Sequence, residues 1–221
     1  MDYLRSLLWP LSELLRLALE LLVPLVGGYG LAIACLSLIV STVLSPITGL
    51  ARRLEAIDKA RQEMMAPDLA AAKRELSGRD RFERIEEIYQ AHGYHPIKSM
   101  GSLLPLLVQL PFLLAALFLL TDYPPIAGQS FLFVRDLSLP DGLLPVGGFS
   151  INLLPLLLTA VAVLESFLRP ESTAQSRMRF LIVAVVMLVL IYPFPAGVCL
   201  YWLTSNLLSC FRSTWRSLRT K

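Results

Sequence analysis

Five stretches of this chain are apolar over lengths that approach or reach the width of a bilayer, and no other feature restricts its fold so severely. They run over 29–50, 103–121, 151–168, 178–192 and 198–211. A helix crosses the hydrocarbon region in about 20 residues. A soluble chain of 221 residues has too little interior to hide five such blocks, with 55% of its residues hydrophobic and only 17% charged. The last two blocks are short, so they extend beyond these limits or the bilayer thins around them.

Charge sets the orientation. Ten Lys and Arg fall in 51–98, three in 169–179 and four in 212–221, which is 17 of the chain's 20. Only Arg5, Arg16 and Arg135 remain for the opposite side. Five spans place all 17 on one face, the positive-inside pattern, with the N-terminus outside and the C-terminus in the cytoplasm. Four or six spans would divide the basic segments between faces.

The segments between the blocks differ in character. Residues 1–27 carry Leu4, Leu7, Leu8, Leu11, Leu14, Leu15, Leu19 and Leu22 at near-helical spacing, broken by Glu13, Arg16 and Glu20. This predicts an amphipathic helix along the membrane interface. A first span is the alternative, burdened by three charges. Residues 51–98 alternate charge with apolar residues at helical spacing. They predict a hairpin of two helices, about 51–75 and 80–92, with Gly93 free to adopt a left-handed cap. Nine acidic residues nearly balance its ten basic ones, which weakens an electrostatic case for RNA binding. The Pro- and Gly-rich stretch 122–150 reads as an extracytoplasmic loop dipping into the interface at Phe131, Leu132 and Phe133. Pro46, Pro105, Pro111 and Pro155 are expected to bend or start helices.

Catalytic signals are sparse. Cys35, Cys199 and Cys210 form no CxxC pair, and two histidines cannot supply a zinc-peptidase motif. There is no Gly-rich phosphate loop or serine-nucleophile elbow. No enzyme, cofactor, metal or DNA partner is expected.

Four segments carry a family resemblance: GYGLAIACLSLIVSTVLSPIT at 28–48, HGYHPIKSMGSLLPLLVQLPFLLAALFLLT at 92–121, FLFVRDLSLPDGLLPVGGFSINLLPLL at 131–157 and YPFPAGVCLYWLTSNLLSCFR at 192–212. The chain resembles the YidC-type membrane protein insertases and their mitochondrial and chloroplast counterparts, in the short form without a large periplasmic domain. The resemblance implies an all-α polytopic membrane protein. Its parts would be an interfacial helix (1–27), a first transmembrane helix (28–50), a cytoplasmic helical hairpin (51–98) and a second transmembrane helix (99–121). An outer loop (122–150), a third span (151–168), a cytoplasmic loop (169–177) and a fourth span (178–192) follow. An outer turn with the fifth span (193–211) and a basic tail (212–221) complete the five-helix core. It further implies a polar groove that guides apolar segments of newly made proteins into the bacterial inner membrane without nucleotide hydrolysis. Implied partners are nascent membrane proteins, with the Sec translocon and the ribosome as further candidates. The tail suits anionic lipid.

One departure stands out. Where the family usually has a lone groove arginine, this chain reads LIVSTVLSP, with Ser41 at that place and no basic residue anywhere in 29–50. The remaining groove candidates are Ser41, Thr42, Ser45, Thr48, Gln109, Thr159, Trp202, Thr204, Ser205 and Asn206. Ser and Thr in spans often bond their own backbone carbonyls instead, and Glu165 is expected to pair with Arg169. The neutral groove leaves three readings open: an insertase for a narrower or less acidic set of clients, an assembly chaperone or structural partner of a membrane complex, or a degenerate or unrelated scaffold. A small-solute transporter is the rival from another class. It would want ionisable residues at mid-membrane and inverted repeats, and neither is evident.

Overall fold

The structure, a computed structural model, describes residues 2–94, 104–146, 149–168 and 174–219. It is mostly helical. In chain order the elements are α1 (Asp2–Val26), α2 (Tyr29–Val43), α3 (Ser45–Glu75), α4 (Gly78–Ala91), α5 (Leu104–Asp122), a short 3-10 turn (Pro124–Ile126), β1 (Leu144–Val146), β2 (Phe149–Ile151), α6 (Leu153–Leu168), α7 (Ala174–Ile191) and α8 (Ala196–Arg219). The chain forms two compact units, one of Met1–Thr42 with Phe112–Lys221 and the other of Val43–Pro111.

The sequence expectation of one helix over 28–50 falls on two. The break is at Leu44, and Pro46 stands in the first turn of α3. Proline has no N–H to continue the ladder of the preceding helix, yet its fixed φ suits a helix start. Among the described residues no single helix is long and apolar enough to cross a membrane, whereas α2 and α3 together are, by length and composition. Shorter apolar helical stretches cover Leu107–Asp122, Leu153–Leu164 and Leu181–Ile191. Helix α8 runs on to Arg219, so the described part of the basic tail, expected as a separate segment from 212, continues that helix.

The core of the first unit takes residues from α1, α2, α5, α6, α7 and α8 and from the loop after α5, including Leu19, Ile33, Leu36, Leu120, Ile126, Leu137, Ile191, Val198 and Cys199. Helix α1 has an apolar arc wider than one packing face. Leu15 and Leu19 are buried, while Leu4, Leu7, Leu14, Leu21 and Leu25 are exposed. Its charges pair with one another. Arg16 bonds Glu13, and it also reaches Glu20 at 2.6 Å. Glu20 in turn accepts the Tyr123 hydroxyl at 3.0 Å. Burial, then this bond to a carboxylate, pushes the Tyr123 phenol well above its ordinary pKa. Arg5 pairs with Asp122 at 2.8 Å and lies over the Phe118 ring.

The described residues of 122–150 carry the 3-10 turn, an isolated Phe131–Val134 bridge and the two short strands. Phe131 packs over Gly30 of α2, where a Cβ would lie 2.1 Å from the ring. Strands β1 and β2 pair antiparallel, Leu144 opposite Ile151. At their base Asp141 Oδ2 accepts the Leu153 and Leu154 amides at 2.6 and 2.9 Å. It thereby caps α6 as an N-cap carboxylate does. Asn152 is buried and binds three ways. Its Oδ1 accepts the Gly142 amide, its Nδ2 donates to the Tyr192 carbonyl, and its own amide reaches the Tyr192 hydroxyl.

The second unit contains a helical hairpin. Helices α3 and α4 pack through Met65, Ala72 and Ile88, joined by Tyr94 just after α4, with Leu69, Ile85 and Tyr89 around them. Gly93 takes the left-handed conformation, φ +57°. The Gly93 amide bonds Gln90 and the Tyr94 amide bonds Tyr89, the Schellman arrangement that satisfies the last carbonyls of α4. The Tyr89 and Tyr94 rings meet at 5.2 Å, which closes the motif with an apolar contact.

Candidate functional site: a polar seam between α2 and α8

Helices α2 and α8 meet along hydroxyls placed four residues apart. Ser37 is fully buried and donates its Oγ to the Tyr201 carbonyl at 2.6 Å. One turn later, Ser41 Oγ and Ser205 Oγ lie 3.0 Å apart. Both contacts join residues 164 positions apart. This constant offset means the two helices run parallel, in one register, since residues four apart share a helix face. At the end of α2, Arg212 Nη1 donates to the Ser41 carbonyl at 3.1 Å, and Nη2 donates to Thr42 Oγ1 at 3.0 Å. Ser41 is in the last turn of α2, where carbonyls run out of helical amides. The guanidinium therefore caps α2 from a different helix, at the negative end of its dipole.

Of the residues expected in a groove, the structure brings Ser41, Thr42 and Ser205 together in this seam. Three threonines instead satisfy themselves on their own helices. Thr159 donates to Pro155 at 2.9 Å, Thr204 to Leu200 at 2.8 Å, and Thr48 to Leu44 and Ser45 at 3.0 and 3.2 Å. Trp202 and Asn206 are half-buried on α8, Trp202 against the core. Ser45, Thr48 and Gln109 belong to the second unit. The Glu165–Arg169 pair lies outside the described residues.

Two seam residues escape the sequence reading. Ser37 lies one helical turn before Ser41, so the spacing was available as a signal. Arg212 reads from sequence as part of a lipid-binding tail, and nothing local shows that its side chain turns back to α2.

The start of α8 joins the two most distinctive motifs. The Leu139 and Leu137 carbonyls of the DLSLPD stretch accept the Ala196 and Gly197 amides, each at 2.8 Å. A Cβ on Gly197 would come within 3.1 Å of the Leu137 oxygen, so glycine allows this approach. The loop thereby satisfies amides that begin α8 and fixes the helix that carries half of the seam.

A family model described as 60Kd inner membrane protein matches residues 21–220. The membrane protein insertase YidC of Fusobacterium nucleatum is 31% identical over 214 residues, covering 95% of this chain and 94% of that one. The YidC of Aliivibrio salmonicida is 29% identical over 221 residues, which is 97% of this chain but only 38% of that protein. The chain thus spans well under half the length of the longer relatives. A crystal structure of an active YidC insertase, with its first transmembrane domain resolved, superposes with a TM-score of 0.59 at 20% identity, covering 94% of this chain and 45% of that one, and shares the fold. Together these matches make the chain a member of the 60Kd inner membrane protein family, the family of the YidC membrane protein insertases.

Proposed function

We propose that this protein guides apolar segments of newly made proteins into the bacterial inner membrane, with the α2–α8 seam as the polar wall of its groove. The observation that carries this reading is the exposed polar end of the seam. Thr42 is exposed and Arg212 is only partly covered, while the exposed positions on α2 and α8 otherwise include Leu31, Leu38, Ile39, Val43, Leu207 and Phe211. Arg212 follows the fifth apolar block, and a guanidinium drawn to the hydrocarbon centre would cost about 2.5–3.5 kcal/mol on insertion scales. The polar end therefore calls for a wet recess, while the apolar faces suit lipid. A recess of this kind offers transient partners to a passing polar segment. Such guidance requires geometry and hydration, with no nucleotide.

The membrane arrangement belongs to the same proposal. Five spans place the N-terminus outside and the hairpin and C-terminus in the cytoplasm. Helix α1 lies in the interface, its buried stripe on protein and its exposed leucines in lipid. The Sec translocon and the ribosome remain candidate partners, and anionic lipid meets the end of α8, where Trp215 is exposed. A second reading has its own support. Ser41 is already engaged by Ser205, which suits an assembly chaperone or structural partner with a groove of low charge.

Reconstitution into liposomes separates the two. Protease-protected insertion of a small single-span client well above empty liposomes is the expected result, with the Ser41→Arg variant alongside. If neither version inserts the client while the Fusobacterium relative does so in parallel, autonomous insertion is lost and the assembly reading leads.

A further inference from the structure

Arg212 differs from the other first-unit arginines whose contacts are described above. Arg5 has Asp122, and Arg16 has Glu13 and Glu20. Arg212 is bonded to a carbonyl and a hydroxyl, neither of which carries a formal charge. Among the described residues it has no carboxylate partner. Two of its five N–H groups are engaged in these bonds, which leaves three donors of the fork beyond them. Its position is also fixed, because both acceptors lie on consecutive residues of α2. A lipid-anchoring arginine would extend along its helix toward the headgroups. This one folds back onto the neighbouring helix beside the Ser41–Ser205 pair.

A held guanidinium with spare donors and no carboxylate partner among the described residues suits a planar anion, and the carboxylate is its best geometric match. We propose that Arg212 is a specificity-determining residue that receives an aspartate or glutamate side chain of the client segment as it enters the seam. The charge missing from the first span is supplied here from α8. The capping bonds to α2 keep the guanidinium pointed at the seam, so the structural and recognition roles share one side chain. The inference rests on the insertase reading for its biological meaning. Its chemistry, carboxylate binding at Arg212, is tested separately.

The full chain is placed in nanodiscs of zwitterionic lipid, and binding of a labelled apolar peptide bearing aspartates is compared with its asparagine twin by fluorescence anisotropy. The aspartate peptide should bind about fivefold or more tightly, as a charge-assisted bond to a neutral twin predicts. Arg212→Gln should abolish that preference, the aspartate peptide losing more affinity than its asparagine twin, while Arg212→Lys, which keeps the charge, should retain part of it. Three results would overturn the proposal: no preference in the unaltered protein, a preference that survives Arg212→Gln, or an equal loss for both peptides, which marks Arg212 as a cap alone. Abolition of the preference by adding phosphatidylglycerol would overturn it too, by giving the site to lipid phosphate. Binding without insertion in the liposome assay would leave this inference standing and remove the insertase reading.

Discussion

The two units solve the same problem, how to hold helices in place, with opposite means. In the first, long-range contacts do it. Phe131 fills the space left by Gly30, the DLSLPD carbonyls start α8, and serine hydroxyls set the register of α2 against α8. In the second, the hairpin depends on local devices: a left-handed glycine, a Schellman turn, and surface ion pairs such as Arg79–Glu83 at 2.7 Å and Arg84–Glu87 at 2.8 Å. The lesson is that helices whose outer faces suit lipid gain little from the hydrophobic effect when they associate. Close approach and buried hydrogen bonds must then provide specificity. The charged hairpin packs a small core and keeps its polar surface in water, so ordinary capping and burial suffice.

Substitutions that separate the two modes should differ in size. The largest effect is expected for Gly30→Val. Its new Cβ would overlap the Phe131 ring, at or above the top of the ~1–3 kcal/mol range of overpacking. The thermal midpoint in detergent should fall sharply, and Phe131→Ala should restore part of it. Full additivity of the two changes would break the close-packing account.

Gly93→Ala comes next, with about 1–2 kcal/mol from the left-handed backbone alone. Nothing lies within 4 Å of the added Cβ there, so no repacking partner should rescue it. Hydrogen exchange at the end of α4 should quicken while the α2 amides stay protected.

Ser37→Ala removes one buried hydrogen bond, worth about 0.5–1.5 kcal/mol. It should loosen the α2–α8 register, read as greater mobility of spin labels at exposed Leu38 and Leu207. Unchanged mobility would mean that packing alone sets the register.

Glu83→Gln should be smallest, about 0–0.5 kcal/mol for a surface pair, and raised salt should remove even that.

A pH series adds a marker specific to the first unit. The Ser138 hydroxyl and the Ser138 amide both donate to Asp136, and these bonds hold its carboxyl below its ordinary pKa. A depressed carboxylate contributes stability above its unfolded pKa and loses it as pH falls through the folded value. Acidification below about pH 4 should therefore cost the unaltered protein stability that Asp136→Asn has already forfeited. Parallel acid curves for the two would sink the assignment.

Much of this comparison was legible before any coordinates. The charge-rich run 51–98 announced a hairpin, and Gly93 announced its cap. The apolar blocks announced the helices, though Pro46 split the first of them at Leu44. The groove candidates were legible only as a set. Thr48, Thr159 and Thr204 have the same chemistry as Ser41 and Ser205, yet they bond their own helices. Residue type does not distinguish a hydroxyl that turns inward along its helix from one that faces another helix, and the one-turn spacing of Ser37 and Ser41 was the only local hint. Arg212 shows the same limit, since a basic residue near a helix end reads as a lipid contact until its direction is known.

By itself, then, the sequence determined which stretches are helical in character, which are apolar, and how charge divides among the connecting segments, but not the break at Leu44. These properties follow from composition and periodicity within a window of neighbouring residues. Tertiary structure alone decided that Phe131 meets Gly30, that DLSLPD starts α8, that Ser37 and Ser41 meet α8 at a fixed offset, and that Arg212 closes the end of α2. Those contacts join residues far apart in the chain, and they depend on the relative placement of packed helices, which local periodicity does not encode.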